Sequence, residues 1–407
     1  MANYPDNWRA TRLTTFLKKV RRPVAVELQT RYRQIGVRSF GKGIFHKESV
    51  TGEDLGGKGV FWVRPGDFVL NIVFAWEGAV ALISAAEEGM CASHRFPTFI
   101  IDDTMCYPAF LLLYFKTKKG VEQLALASPG GAGRNRTLNQ TGFLNLIITL
   151  PSLPEQRKIA DILNTWDKAI ATVRQLTVES QKYKKELMRG LLSSQLRLPA
   201  FEGKEWEDVR IEDVAEVNPR RQNGLAEDYE VSFVSMSSVS ENGKVIRSQV
   251  RLFGEVSRGY TPFKNRDVLI AKITPCLENG KGALLENLRN GIGFGSTEFH
   301  VVRADTAKVL PEFLFYHTVS DRFRKTAEQN MVGSAGQRRL QPNFVSKYKI
   351  GVPKLAEQAD ISNILKAVDD YIDHLGHYLN RLQSQKEGLT QRLLTGQARV
   401  QVGEKQE

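Results

Sequence analysis

Apolar residues fall at steps of three and four along two stretches of the chain. The first runs Ile159, Ile162, Trp166, Ile170, Val173, Leu176, Tyr183, Leu187, Leu191; the second runs Ile361, Ile364, Val368, Ile372, Leu375, Leu379, Leu382, Leu389, Leu393. The period is helical, and the stripe is narrow enough for a coiled-coil seam. Start and stop signals agree. Pro154 suits a first helical position, Glu155 complements the positive helix end, and Gly396 supplies a stop. Each helix is expected to run about 40 residues, roughly 60 Å at 1.5 Å per residue. A lobe of about 150 residues has a radius of gyration near ~15 Å, so such a helix would overhang it with its apolar stripe bare. The two helices are therefore expected to pack on each other, antiparallel, with Ile159, Ile162, Trp166, Ile170, Ile361, Ile364, Val368 and Ile372 as the packing residues. They would then act as a spacer.

In the stretches that precede each helix the pattern changes. "GVFWVRPGDFVLNIVFAW" and "RDVLIAKITPCL" are runs of β-branched and aromatic residues broken by Gly, Pro and Asp, which predicts short strands. "YPAFLLLYFKT" and "LPEFLFYHTVSDRFRKTA" predict short helices, each opening beside a Pro. The expected fold class is α+β: two mixed α/β domains separated by two long antiparallel, coiled-coil-like helices. The expected segments are 1–150 and 199–352 for the domains, 151–198 and 353–400 for the helical spacers, and 401–407 for a tail.

The chain is also an internal repeat. Residues 151–198 align without a gap with 353–400 at an offset of 202, and sixteen of the forty-eight positions are identical. They include Glu155/Glu357, Gln156/Gln358, Asp167/Asp369 and Leu191/Leu393. The repeat reaches into the lobes more faintly. "WRATRLTTF" echoes "WEDVRIEDV", "GDFVLNI" echoes "RDVLIAKI", "SHRFPTF" echoes "STEFHVV", and "GGAGRNR" echoes "GSAGQRR". The frame is kept while the lobes differ, so a pseudo-two-fold is expected.

Composition adds a partner class. A net charge of +12 favours a polyanion such as nucleic acid, through counterion release. No run of eighteen apolar residues exists, so no membrane span is expected. The opening "MANYPDNWRATRL" lacks a secretory plan, and Cys91, Cys106 and Cys276 are scattered. A cytoplasmic protein without a disulfide framework is expected.

Catalytic chemistry is hard to place. "GEDLGGKG" lacks the Ser or Thr that a phosphate-binding loop needs, and a strand pattern follows it; a Gly-rich surface loop is the better reading. His374 and His377 have no third ligand nearby and read as a solvated helix face, so no metal is expected. The polar loops look more like recognition surfaces. "GRNRTLNQ" carries Arg134, Arg136 and Asn139; "GQRRLQPN" carries Gln337, Arg338 and Arg339. Arg can clamp guanine, and Gln or Asn adenine, in the major groove. Adjacent glycines would let the backbone approach phosphate. The alternative is a basic loop that only aids solubility; its recurrence at one place in both lobes favours binding.

Two divergent lobes, each ending in "LP-x-L-x-EQ-x-x-I-x-x-I-L" and a long helix, together resemble the specificity subunits of type I restriction–modification systems. "LIAKITPCLENGKGALLENLRNGIGFGSTEFHVVRA" is similar to the target-recognition domains of that family, which adds Lys272 and Thr274 as DNA-binding candidates. The first lobe departs from that wording. The resemblance implies that each lobe reads half of a bipartite double-stranded DNA site while the helices set the gap. It implies two methyltransferase subunits using S-adenosylmethionine, and two motor–nuclease subunits using ATP and Mg2+, with no catalysis or cofactor on this chain. Three other readings stay open: a DNA-modifying enzyme with an unrecognised site, a coiled-coil scaffold that reads no DNA, and a related system cutting on both sides of its site.

Overall fold

The computed structural model describes residues 4–57, 59–130, 136–221, 224–334 and 336–402. Residues up to 173 together with those from 378 onward form one compact unit, and 174–377 form the other. Each unit therefore takes a lobe, the start of one long helix and the end of the other. The helices span Leu153–Leu192 and Leu355–Leu394.

Both lobes follow one plan. In the first unit a four-stranded antiparallel sheet runs in the order Leu17–Val20, Thr98–Ile101, Phe68–Leu70, Val80–Leu82. A second sheet runs Ile44–Thr51, Arg31–Val37, Cys91–Ser93, Val60–Trp62, with its central pair parallel. In the second unit the counterparts are Ala215–Val217, Phe299–Ala304, Val268–Ala271, Gly282–Leu284, and Gln249–Leu252, Glu230–Val234, Ile292–Gly295, Thr261–Lys264. A two-stranded ribbon closes each lobe: Arg9–Arg12 with Ile147–Leu150, and Glu207–Arg210 with Lys349–Val352. Entry and exit of each lobe are thus tied together just before a long helix begins.

The continuous apolar runs are strands buried on both faces. In Val268–Ala271 all four residues are buried. Successive side chains of a strand point to opposite faces. Val268 and Ile270 accordingly enter the core built with the helices, and Leu269 and Ala271 enter the core under the second sheet. Phe68 and Leu70 against Val69 repeat this in the first unit, where Phe68, Phe99, Phe115 and Phe143 form one aromatic cluster.

Within each unit the helix start and the other helix's end pack antiparallel. In the first, Ile159 and Leu163 share a core with Leu393 and Leu394, and Ile162 with Leu389 packs at its edge. In the second, Ile361 and Leu365 share a core with Met188, Leu191 and Leu192, and Ile364 packs at its edge. Ile170 is buried, while Trp166, Val368 and Ile372 are half-buried. The stripe differs from the expected one in two ways. Leu163 and Leu365, one position outside it, are fully buried, whereas Leu176 and Tyr183 are exposed at 41% and 61%. A helix laid on a lobe needs a face wider than a two-position seam.

Polar identities of the repeat are the contacts that fix this packing. Glu155 pairs with Arg399 and Glu357 with Arg197, while Asp167 pairs with Lys386 and Asp369 with Lys184. Gln156, 1% exposed, accepts the Tyr107 amide at 2.8 Å and donates to the carbonyls of Met105 and Pro151. Gln358, fully buried, does the same with Leu310, Lys308 and Pro353. Each glutamine ties its helix start to the segment that leads into a lobe helix, Pro108–Lys116 or Pro311–Val319.

Candidate nucleic-acid interface

In the second unit, residues 272–281 connect the paired strands Val268–Ala271 and Gly282–Leu284. Two other segments are laced to this loop. The Lys272 amide donates to the Glu298 carbonyl at 2.9 Å, just before the Phe299–Ala304 strand. The Leu340 amide donates to the Lys272 carbonyl at 2.8 Å, and the Thr274 amide to the Arg338 carbonyl at 3.1 Å. Arg339 and Val332 exchange two backbone hydrogen bonds, of 2.8 and 3.0 Å. Lys272, Thr274, Arg338 and Arg339 are thereby brought to one place, with exposed Gln337 beside them.

Both arginines meet carboxylates. Arg339 donates from Nε to Glu298 Oε1 and Oε2 at 3.2 and 3.1 Å, and from Nη2 to Oε1 at 3.0 Å. Those hydrogen bonds raise the Arg339 pKa, so its charge is fixed. Arg338 Nη2 donates to Glu278 Oε1 at 3.2 Å, and the Thr274 hydroxyl donates to the same oxygen at 2.8 Å. Glu278 Oε2 is buried without a partner among the described residues.

Buried polar groups hold the frame from behind. Arg324, 8% exposed, donates to the carbonyls of Leu277, Lys281 and Gly280, each at 3.3 Å, and burial pulls its pKa down to about 10. A cation held by backbone carbonyls pins the turn that carries Glu278. His300, 2% exposed, lies 3.1 Å from the Asn218 amide nitrogen through Nδ1 and 2.9 Å from the Leu340 carbonyl through Nε2. Nε2 donates to the Leu340 carbonyl, and burial lowers the His300 pKa. Gly333 serves the loop itself: a Cβ there would stand 2.8 Å from the Gln337 carbonyl oxygen. Its missing side chain leaves room for that carbonyl.

The first unit repeats the backbone and changes the side chains. The Leu138 amide donates to the Ile72 carbonyl at 2.8 Å, and the Ile72 amide to the Arg95 carbonyl at 3.0 Å. Arg95 thus occupies the backbone place that Glu298 holds in the second unit. Arg136 stacks its guanidinium 5.5 Å from the Trp76 ring centre. Asn139 caps the Gln140–Leu144 helix, its side-chain oxygen accepting the Gly142 amide at 2.9 Å. Arg134 lies outside the described residues, as does Lys58 of the Gly-rich stretch. That stretch folds as a single helical turn, Gly52–Leu55, before a strand.

Sequence reasoning missed Glu278, Glu298, Arg324 and His300. Glu298 and Arg339 are 41 residues apart, and nothing local to either predicts the meeting. Among the described residues no group of three His, Cys, Asp or Glu side chains is placed to hold a metal, and no helix is long and apolar enough to cross a membrane.

The family described as "Type I restriction modification DNA specificity domain" matches this chain twice, over residues 64–180 and 203–384. The chain belongs to that family. The matches include both loop systems and most of both long helices. A specificity subunit of type I restriction enzyme EcoEI, from Escherichia coli, is 33% identical over 250 residues, covering 58% of this chain and 41% of the relative. The match thus spans about two-fifths of that relative's length. The MjaVIII specificity subunit of Methanocaldococcus jannaschii is 24% identical over 97% of this chain and 94% of its own. Among solved structures, the HsdS subunit from Thermoanaerobacter tengcongensis shares the fold with a TM-score of 0.54, at 17% identity, over 97% of this chain and 98% of that one.

Proposed function

We propose that this chain is the non-catalytic address-reading subunit of a type I restriction–modification complex. Each unit reads one half of a bipartite double-stranded DNA site. The observation that carries the proposal is one backbone frame built twice with different side chains on it: Glu298 with Arg339 in one unit, Arg95 and the Trp76–Arg136 stack in the other. Equal frames suit equal partners, and unequal side chains suit unequal half-sites.

The forty-residue helices supply the ruler in this reading. Half-sites on one face of B-DNA lie about 34 Å apart, or a multiple of that, so the gap must be held by something stiff. The repeated helix pairs also offer two equivalent docking faces, one for each of two methyltransferase subunits. S-adenosylmethionine belongs to those subunits, and ATP and Mg2+ to two accompanying motor–nuclease subunits. The test is a map of adenine methylation across the native genome with and without this gene. Loss of methylation at one split motif is the expected result. An unchanged map in cells that express the protein would overturn the reading.

A further inference from the structure

The edge by which Arg339 is held matters. A planar guanidinium has five N–H donors, and Glu298 engages the Nε–Nη2 edge. Two parallel donors, one on Nη1 and the second on Nη2, remain without a partner among the described residues. That end-on edge is the one whose geometry matches guanine O6 and N7. The carboxylate fixes the plane of the fork and leaves its reading edge bare.

The charge balance points the same way. An unpaired arginine on a DNA-facing loop is drawn to phosphate, where it releases counterions. Arg339 paired to Glu298 is close to neutral as a unit, so it has little to gain from phosphate, while its remaining N–H donors keep their direction. The backbone around both partners is tied down. Arg339 exchanges two hydrogen bonds with Val332, and the Glu298 carbonyl accepts the Lys272 amide. Orientation is thus set before DNA arrives, so less rotamer freedom is lost on binding.

We infer that Arg339, positioned by Glu298, reads a guanine at one position of the half-site recognised by the second unit, and that Glu298 is a specificity-determining positioning residue. The inference rests on the proposed DNA-reading function. The experiment is selection of bound duplexes from a randomised library by the full chain, recovered from its native host with whatever subunits accompany it. Wild type, Arg339→Ala, Arg339→Lys, Glu298→Gln and the double variant Arg339→Ala with Glu298→Ala are compared at several salt concentrations.

Arg339→Ala and Arg339→Lys are expected to lose preference for guanine at one position by roughly ten- to a hundredfold, with the other half-site intact. The salt slope of the double variant Arg339→Ala with Glu298→Ala stays unchanged, because a neutral pair releases no counterion and its joint removal strands no charge. Glu298→Gln is expected to lose part of that same preference while binding all sequences more tightly, since it frees a positive charge. A merely structural role for Glu298 would instead weaken every position together. A salt slope reduced by about one in that double variant would make Arg339 a phosphate contact and overturn the inference. So would an unaltered motif in Glu298→Gln. If wild type selects no motif at all, the DNA-reading function fails with it; if wild type selects one and the variants leave it whole, only this inference fails.

Discussion

Replacing Glu357 with alanine removes a carboxylate only 2% exposed that accepts from Arg197 Nε and Nη2 at 3.1 and 3.2 Å and from the Trp206 indole at 3.3 Å. Breaking a buried ion pair from one side costs about 3–5 kcal/mol, most of it from the charge left behind. Arg197 is 21% exposed and keeps the carbonyls of Lys204 and Phe201, which places the loss near the lower end, at about 3 kcal/mol. The equivalent Glu155→Ala leaves Arg399, whose side chain is 45% exposed and so largely rehydrated; about 1–2 kcal/mol is expected there. One substitution at two positions of a repeat should therefore destabilise the second unit more than the first. Unfolding of two units need not be one transition, so the measurement is hydrogen exchange read separately over 355–365 and 153–163. Adding Arg197→Met to Glu357→Leu should recover most of the protection by removing the stranded charge. Equal losses in the two units, or a double variant no better than Glu357→Ala, would refute this account of the helix ends.

Other outcomes follow from the same contacts. Leu163→Ala and Leu365→Ala each remove a fully buried side chain and should cost about 2–5 kcal/mol in their own unit, read by the same exchange experiment. Ile162→Asp, at the edge of the packed face, should cost less than Ile159→Asp, whose site is fully buried; reversed order in thermal melts would contradict the register. Arg324→Met should speed amide exchange over 277–281 while leaving 292–295 protected, because only the turn loses its clamp. Burial pushes the His317 pKa down to about 3, with Arg322 adding to the effect. Between about pH 6.5 and pH 3 the unfolded chain binds a proton that the folded one refuses, so stability falls as pH falls, by up to about 1.4 kcal/mol per unit. His317→Leu should flatten urea midpoints measured from pH 7 to 5; an unchanged slope would exclude His317 as the source.

The repeat, the long helices and the strand character of "GDFVLNI" and "RDVLIAKI" were legible because each rests on local order. Helical period, two-face burial and a constant offset of 202 need no partner to be read. The identities at Glu155/Glu357, Asp167/Asp369, Lys184/Lys386 and Arg197/Arg399 were equally visible, yet their meaning was not. An alignment shows that a charge recurs; only the folded unit shows that the start of one helix meets the end of the other.

The polar loops divide in the same way. Arg338 and Arg339 stand out in "GQRRLQPN" as basic residues beside glycines, and that much composition can say. Which edge of Arg339 is occupied depends on Glu298, which reaches it only because Lys272 bridges the strand end and the loop through its own amide and carbonyl. Arg324 reads as one more charge on an amphipathic helix until the 277–281 carbonyls close over it. By itself the sequence determined the duplicated α+β frame, since periodicity is a property of neighbours along the chain. Tertiary structure decided which charges are paired and which donor edges stay free of those pairs, since hydrogen-bond geometry is set by residues that the chain keeps far apart.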